Sequence, residues 1–392
     1  MTDEVTDDLL DPVLDQAIDH LAALVAHDTE SSRSNAAMIE AMRGELAALG
    51  FTTSVLTEEG TGKAGLVASI GPSVAGGTVL SGHSDVVPVA GQAWTSDPFV
   101  LRRDGERLHA RGTSDMKGFF ACVLALAPEM AAAALRRPIH VCVSYDEETT
   151  CEGVRPLIEH IAHELPPVGA VIVGEPTGGR VATQHKGAYG WRVAVRGVPC
   201  HSSLPQVGVS ATALAARLIC WLDDRQQQGM AAAAPGRFVP NASTGHVGRV
   251  VGGEAVNVLA ASCEFDIEWR NMPGEDPRVL VDEFRAEAER LVADAPVSGA
   301  AVELRPDYAV PAFAPEAGGA AEALCRRLTG QADVIAVTYS TEAGHFQDAG
   351  MSTVLCGPGS IAQAHTADEF VEVGELNDYL AFLRRLLDDH CA

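Results

Sequence analysis

Two adjacent glutamates, Glu147 and Glu148, follow the apolar run of residues 139–145. Neighbouring carboxylates raise each other's pKa unless a cation compensates their charge. A bound metal ion resolves this conflict, because one carboxylate can bind the ion while the other accepts a proton from water. A glycosidase pair is an alternative, but its carboxyl groups stand about 5 to 9 Å apart across a sugar ring. Adjacent residues rarely adopt that spacing, so the pair favours a metal site.

Five further residues with suitable side chains lie where predicted strands end or a helix begins. His83 and Asp85 end the strand that begins TVLSG, and positions i and i+2 of a strand face the same side. Asp85 can therefore hold the His83 ring and leave one ring nitrogen for a metal. Asp115 precedes a helix, Glu175 ends a strand, and His365 follows a Gly-Pro-Gly turn. Taken singly, these residues are explained as turn residues, a helix N-cap and a surface histidine.

Considered together, five of these side chains form one set of possible metal ligands at the same predicted rim of a sheet. The set is His83, Asp115, Glu148, Glu175 and His365. It contains nitrogen and oxygen donors and no thiolate. Such a set fits a two-metal site in which one carboxylate bridges ions about 3.5 to 4 Å apart.

The elements that must position these residues alternate between helix and strand. Periodicity predicts helices over residues 35–49, 118–135 and 153–164, and strands over residues 51–57, 65–71, 78–87, 139–145 and 168–177. A helix to about residue 328, a strand at 333–338, a loop at 340–350, a strand at 351–359 and a helix from about 374 follow later. This order predicts an α/β sandwich around a mostly parallel sheet, with the ligand site beyond the carboxyl ends of the strands.

The segment between these two parts has a different pattern. Residues 186–309 read as strand, helix, strand, strand, helix, strand, which is the order of a ferredoxin-like α+β unit. We therefore predict a catalytic domain made of residues 1–185 and 310–392, interrupted by this inserted domain.

Composition excludes several classes of partner. The 392 residues carry a formal net charge of −25, which disfavours nucleic acid. The acidic N-terminal stretch lacks the basic and apolar regions of a signal peptide, and no apolar run of membrane-spanning length occurs, so a cytoplasmic protein without membrane contact is predicted. The nine cysteines form no CxxC pair and are expected to be mostly small buried residues.

Lysine is rare in this chain. Only Lys63, Lys117 and Lys186 occur beside 25 arginines, so a local structural reason is expected for each lysine. Lys117 and Lys186 stand inside the motifs discussed next.

Seven ordered motifs resemble the di-zinc metallopeptidase-like deacylases, which include acetylornithine deacetylase, succinyl-diaminopimelate desuccinylase, aminoacylase and glutamate carboxypeptidase. The motifs are GHSDVVPV, RGTSDMKG, DEE, GEPT, HKG, CHSSLP and QAHTADEF. The resemblance runs from about residue 10 to the end. It implies an α/β/α zinc-hydrolase catalytic domain with an inserted lid and dimerisation domain, a homodimer, and two Zn²⁺ ions for which Co²⁺ is a possible substitute.

The same resemblance assigns roles in the metal site. Asp115 bridges the two ions, Glu147 is the general base, and Asp85 orients His83. For the outer ligands the resemblance supplies two arrangements: His83 and Glu175 hold different ions, or His83 pairs with Glu175 and Glu148 pairs with His365.

In the inserted domain, the resemblance implies that His201 reaches the active site of the other subunit and stabilises the oxyanion. Asn257 and Arg270 match positions that hold substrate, although a structural salt bridge is an alternative for Arg270. Lys186 is a turn or hinge residue. Cys200 and His345 depart from the family pattern, since a small residue and an apolar or amide residue are expected there.

The leading functional hypothesis is metal-dependent hydrolysis of a small N-acyl amino acid, with N-acetyl-L-ornithine as the substrate and arginine biosynthesis as the context. Glu342, in STEAGHFQ, is predicted to hold the cationic side chain of ornithine. A desuccinylase is the nearest rival, followed by a dipeptidase or carboxypeptidase of the same family. A metal-free binding protein is the alternative from another class.

Overall fold

The computed structural model describes residues 12–392, so most of the acidic N-terminal stretch considered above lies outside the described residues. The helices are α1 (Leu14–Val25), α2 (Ala36–Ala48), α3 (Gly118–Ala132), α4 (Arg155–Glu164), α5 (Ala211–Ala232), α6 (Arg278–Ala293), α7 (Ala320–Thr329), α8 (Ala343–Asp348) and α9 (Val373–Cys391). The strands are β1 (Thr52–Glu58), β2 (Lys63–Ile70), β3 (Thr78–His83), β4 (Arg102–Asp104), β5 (Arg107–His109), β6 (Ile139–Ser144), β7 (Ala170–Pro176), β8 (Ala182–His185), β9 (Ala188–Arg196), β10 (Thr244–Gly252), β11 (Ser262–Arg270), β12 (Ala301–Val310), β13 (Ile335–Val337), β14 (Thr353–Gly357) and β15 (Phe370–Glu372).

The chain forms two compact units. The first comprises the chain up to Thr183 together with Pro315–Ile335 and Thr341–Ala392. The second comprises Gln184–Ala314 and Ala336–Ser340. Residues 184–185, 310–314 and 336–340, which we predicted in the catalytic domain, cluster with the second unit. None of the helices within residues 12–392 has the length and apolar character that crossing a bilayer demands.

The large sheet has the strand order β1-β2-β6-β3-β7-β14-β8-β13. Its four central strands, β6, β3, β7 and β14, run parallel, whereas β1 and β2 are antiparallel to their neighbours and β14 pairs with β8 antiparallel. The prediction of a mostly parallel sheet is therefore correct for the four central strands and wrong for β1, β2 and β8. Only four residues connect β1 to β2, and a connection of that length permits an antiparallel hairpin but no crossover.

Burial explains why the central strands stay in place. All residues of β3, β6 and β7 are buried. Helix α3, with the sequence GFFACVLALAPEMAA, is apolar around almost its whole circumference and packs against both α1 and α9. Because β6, β3 and β7 are adjacent and parallel, their carboxyl ends meet at one edge of the sheet.

The second unit contains an antiparallel sheet of order β10-β11-β9-β12. Helices α5 and α6 pack against this sheet. Alternate residues of β11, namely Cys263, Phe265, Ile267 and Trp269, are buried in the core shared with the helices. The strand order and the two helices confirm the ferredoxin-like fold predicted for the insert.

Short elements escaped the sequence analysis. Strands β4, β5 and β15 form a separate sheet of order β15-β5-β4. Residues 340–350, predicted as a loop, contain the six-residue helix α8. Elements this short span less than two helical turns or two strand repeats, so hydrophobic periodicity cannot detect them.

The three lysines are all buried, which supplies the local reason expected for each of them. Each ammonium group donates a hydrogen bond to a backbone carbonyl. The acceptors of Lys63, Lys117 and Lys186 are Ser31 O at 2.6 Å, His27 O at 2.8 Å and Ala242 O at 2.6 Å. Lys63 also forms an ion pair of 2.7 Å with Asp146, immediately before the glutamate pair.

Substituting alanine at two different glycines is expected to change the free energy of unfolding in opposite directions. A Cβ at Gly174 in β7 would lie 2.1 Å from the buried Phe119 ring, so Gly174→Ala should lower the free energy of unfolding by about 1 to 3 kcal/mol. Gly44 in α2 has no atom within 4 Å of such a Cβ, so the control Gly44→Ala should raise the free energy by about 0.5 to 1 kcal/mol. Urea titration at a fixed metal concentration measures both values, and equal stability of the two variants would contradict the packing at Gly174.

Candidate metal centre

The first unit brings all five predicted metal ligands to one place. His83 is the last residue of β3, Glu175 lies near the end of β7, and Glu148 follows β6. Asp115 lies in the irregular turn Thr113–Lys117 that leads into α3, where its φ of −124° and ψ of 93° depart from helical values. His365 lies in the loop between β14 and β15.

These residues form two groups that share Asp115. One group is His83, Asp115 and Glu175, and the other is Asp115, Glu148 and His365. Within each group the potential ligand atoms lie within 4.8 Å of one another. The structure therefore places His83 with Glu175, and it favours the second of the two arrangements that the sequence left open.

Asp115 faces both histidines with different oxygens. Its Oδ1 lies 3.0 Å from His83 Nε2, and its Oδ2 lies 3.3 Å from His365 Nε2. Glu148 Oε2 lies 2.9 Å from the same His365 nitrogen. A carboxylate with one oxygen in each group has the geometry expected of a bridging ligand.

Asp85 contributes differently from the prediction. His83 Nδ1 donates to the backbone carbonyl of Asp85 at 2.9 Å, whereas the Asp85 carboxylate is 3.6 Å away. Strand β3 ends at His83, so the side-by-side placement of strand positions i and i+2 does not extend to Asp85. The carboxylate instead accepts hydrogen bonds from the backbone N–H groups of Glu147 and Glu148 at 3.2 and 3.3 Å, and from the Ser31 hydroxyl at 2.7 Å. Asp85 thus orients His83 through its main chain and holds the glutamate pair through its side chain.

Burial of several carboxylates at one place governs the electrostatics of the cluster. Burial, reinforced by neighbouring carboxylates, raises the pKa of Glu147 and Glu175 well above the usual range and that of Glu148 to about 7. Burial also acts to raise the pKa of Asp115, but hydrogen bonds from His365 and His83 hold it below its usual range. Hydrogen bonds to Asp115 and Glu148 raise the pKa of His365 to about 11. Burial is thus the main cause of the raised glutamate pKa values and the neighbouring carboxylates add to it; a divalent cation would compensate this negative charge.

The donor set fits such a cation. Glu175 Oε1 is buried and accepts no hydrogen bond from any described residue. The five side chains offer imidazole nitrogen and carboxylate oxygen, which suit zinc and similar divalent ions. Both groups supply at least one histidine and two carboxylates.

Glu147 belongs to neither group of ligands but lies beside them. Its Oε2 is 3.9 Å from His83 Nε2, and its side chain is 9% exposed. The Cys151 thiol donates to Glu147 Oε1 at 3.4 Å. Burial raises the pKa of this thiol well above the usual range, so Cys151 remains a donor. The sequence offered no signal for this contact beyond the proximity of Cys151 to the glutamate pair.

A buried ion pair supports Asp115 and was also missed. Arg111 Nη1 donates to Glu369 Oε2 at 2.6 Å, and both side chains are 1% exposed. Glu369 Oε1 accepts the backbone N–H groups of Ser114 and Asp115 at 2.9 and 3.1 Å. Arg111 stands in the motif RGTSDMKG and Glu369 stands in QAHTADEF. Their presence in these motifs was the sequence signal available for the pair.

Three predicted functional residues lie in the second unit. His201 is exposed, and its Nδ1 lies 2.8 Å from Ser203 Oγ. The segment that carries Asn257 pairs with the His201 segment, since Ser202 N donates to Asn257 O at 2.9 Å. Arg270 forms an ion pair of 2.5 Å with Glu268, which agrees with the alternative prediction that Arg270 makes a structural salt bridge. The roles of these residues toward substrate stay predictions.

Glu342 does not suit the role predicted from the sequence. Its side chain is fully buried, one carboxylate oxygen accepts the Ser144 hydroxyl, and burial raises its pKa to about 7. A carboxylate with no exposed surface cannot contact a substrate side chain without rearrangement.

The two departures from the family pattern have structural environments. His345 is buried on α8, and burial lowers its pKa to about 4. The Cys200 thiol donates to Leu204 O at 3.3 Å within the second unit.

Residues 79–389 match the model of peptidase family M20/M25/M40. The chain belongs to this family. An M20 relative called acetylornithine deacetylase, from Myxococcus xanthus, is 34% identical over 385 residues, which cover 95% of this chain and 96% of the relative.

Solved structures of the family share the fold. A tripeptidase from Staphylococcus aureus superposes with a TM-score of 0.77 at 17% identity, covering 98% of this chain and 99% of the tripeptidase. A dinuclear metal-binding M20 peptidase from Bacillus subtilis superposes with a TM-score of 0.68 at 16% identity, covering 96% and 97% of the two chains. With the family established, the chain is a metal-dependent amidohydrolase, and a metal-free binding protein finds no support.

The two glutamates should respond differently to substitution. Glu148→Ala removes one ligand atom from the group with His365, so we expect fewer than two ions per chain in metal analysis. Glu147→Gln leaves both groups intact, so it should retain the wild-type metal content while kcat falls about 10² to 10⁴-fold. A Glu148→Ala protein with full metal content and a Glu147→Gln protein depleted of metal would reverse the two assignments.

Proposed function

We propose that this chain hydrolyses N-acetyl-L-ornithine to L-ornithine and acetate. The observation that carries the proposal is the position of Glu147, a buried carboxylate 3.9 Å from His83 Nε2 that belongs to neither ligand group. A base beside a metal pair is one of the arrangements that hydrolyse amides, because the ions activate water and the base removes its proton. The relative from Myxococcus xanthus, called acetylornithine deacetylase, supports the choice of substrate.

The ligands would be distributed between two divalent ions. His83, Asp115 and Glu175 would hold one, and Asp115, Glu148 and His365 would hold the other. We propose zinc as the native metal, with cobalt as a possible substitute. When bound, the ions supply Lewis acidity that polarises the amide carbonyl and makes water a stronger acid.

The proposed role of Glu147 is to move one proton. Its Oε1 accepts the Cys151 thiol, which leaves Oε2, the oxygen nearer His83, to accept a proton from the attacking water. The same proton then passes to the amide nitrogen as the carbon–nitrogen bond breaks. The second proton of the water also ends on the released amino group, so the products are acetate and the ammonium form of the amine, and Glu147 returns to its starting charge.

The second unit is proposed to complete the site. His201 stabilises the oxyanion from the partner subunit of a homodimer, and Asn257 and Arg270 hold the substrate. Arg270 must share its guanidinium between Glu268 and a substrate carboxylate, since the ion pair with Glu268 is already present. Glu342 is not included among the substrate-binding residues because its side chain has no exposed surface. A cytoplasmic location and a part in arginine biosynthesis belong to the same proposal.

A substrate panel tests the activity. The zinc-loaded and cobalt-loaded proteins should show the highest kcat/KM with N-acetyl-L-ornithine, compared with the acetyl derivatives of citrulline, methionine and glutamate, with succinyl-diaminopimelate, and with dipeptides and tripeptides. Glu147→Gln provides the control for contaminating hydrolases. Preference for succinyl-diaminopimelate would identify a desuccinylase, and preference for peptides would identify a peptidase; either result would replace the proposal.

Subunit mixing tests the role of His201. His201→Ala should lower kcat about 10² to 10³-fold, as expected for loss of an oxyanion donor. If the ring acts across the dimer, mixing this variant with Glu147→Gln should restore activity, because each heterodimer then has one site with both residues intact. Subunit exchange is verified separately with differently labelled chains. Exchange without recovery of activity would exclude action across the dimer, and an active His201→Ala protein would remove the residue from the mechanism.

A further inference from the structure

The two candidate histidine ligands are held in very different ways. His83 is 1% exposed and fixed by packing and by its Nδ1 hydrogen bond to Asp85 O. His365 has a side chain that is 47% exposed and lies in a loop with a positive φ of 60°. Metal-binding histidines usually donate their second ring nitrogen to an outer partner, but His365 Nδ1 has no protein partner within residues 12–392. The His365 ring is therefore held by its Nε2 contacts with Asp115 and Glu148 and by its backbone.

Two side chains hold this loop backbone: Arg111 Nη1 donates to Thr366 O at 3.4 Å, and Gln92 donates to His365 itself. Gln92 Nε2 donates to His365 O at 2.9 Å, although 273 residues separate the two positions. The other end of the amide is fixed independently: Gln92 Oε1 accepts hydrogen bonds from Arg111 Nη2 and from Trp94 Nε1. Two donors at one end identify the oxygen, so the NH₂ group faces His365 O.

Arg111 connects this contact to the rest of the centre. The guanidinium donates to Gln92 and to Glu369, and Glu369 binds the backbone N–H of Asp115. The guanidinium carbon of Arg111 also lies 5.0 Å from the Trp94 ring centroid, and this contact fixes the orientation of the guanidinium group. The side chains of Arg111 and Glu369 are buried, so this part of the network is rigid, and Gln92 extends it to the exposed His365 loop.

We propose that Gln92 is a positioning residue for His365 and thereby sets the affinity of the ion held by Asp115, Glu148 and His365. The proposal rests on the ligand role assigned to His365 under the proposed function, but not on the identity of the substrate. Removing the donor of Gln92 should weaken this ion selectively, because the link through Arg111 to the shared Asp115 uses only the acceptor end of the amide.

Two substitutions separate the donor from the acceptor of the amide. Gln92→Glu keeps an oxygen for Arg111 and Trp94 but replaces the donor to His365 O with an acceptor. Its added negative charge would by itself favour a cation, so weaker binding would point to the contact with His365 O, where a donor is lost and an acceptor is added. Gln92→Met removes donor and acceptor without adding charge.

A matched control exists between the same two segments. Thr95 Oγ1 donates to Asp368 Oδ1 at 2.9 Å, which joins the segment of Gln92 to the segment of His365 without touching His365 itself. Thr95→Val removes this bond, keeps the bond of 3.0 Å from Thr95 N–H to the same oxygen, and should leave both metal affinities unchanged. If the loss of any hydrogen bond between the two segments weakened the site, all three variants would lose metal affinity.

Calorimetric titration of Zn²⁺ into chelator-stripped protein measures the two binding steps without any substrate. We expect both Gln92 variants to lose about 10 to 100-fold in affinity for one ion, with the other ion unaffected. Wild-type affinities in both Gln92 variants would overturn the proposal, as would an equal loss in Thr95→Val. Fewer than two ions in the wild type would overturn it as well, because the ligand assignment would then fail. A chain that binds two ions but does not hydrolyse N-acetyl-L-ornithine refutes the proposed function and leaves this test intact.

Discussion

Repulsion among buried carboxylates is the constraint on which this centre depends. Asp115, Glu147, Glu148 and Glu175 meet at one edge of the large sheet with little access to water, and burial raises the pKa of the three glutamates. Placing such groups together costs free energy unless positive charge or protons compensate them. Within residues 12–392 the positive charges that most strongly offset these carboxylates are those of His83 and His365, so the remaining compensation is left to a cation.

The surrounding structure prevents this repulsion from separating the ligands. Parallel strands β6, β3 and β7 fix the distances between His83, Glu175 and the glutamate pair, because their backbones are buried and hydrogen bonded to one another. Loops must supply the remaining ligands, and each loop is held by a polar side chain from a distant part of the sequence. Asp85 holds the backbone of Glu147 and Glu148, and Glu369 holds that of Asp115. Rigid strands and anchored loops together give the precision that a metal site requires.

The sequence predicted the parts of this arrangement that depend on local pattern. Each ligand stands at a strand end, a helix start or a turn, so periodicity and ordered motifs were sufficient to predict all five as neighbours at one edge of the sheet. Contacts between distant segments could not be inferred in the same way. The hydrogen bond from the Asp115 N–H to Glu369 Oε1 joins residues 254 positions apart, and no periodic signal marks such a pair. The substrate-binding role predicted for Glu342 does not fit the structure for a related reason. A charged residue in a predicted loop gives no indication that the loop folds into the buried start of a helix. The antiparallel margins of the sheet were missed because strand patterns do not encode direction.

The burial of every lysine has a consequence for the chemistry of the protein surface. Lys63, Lys117 and Lys186 are 6%, 0% and 3% exposed, and each ammonium group is engaged with a backbone carbonyl. Within residues 12–392 the folded surface therefore presents arginine as its cation and offers no side-chain amine to acylating reagents. Covalent labelling of a lysine in this range becomes a report of local opening: Lys63 for the segment before the glutamate pair, Lys117 for the turn that carries Asp115, and Lys186 for the start of the second unit.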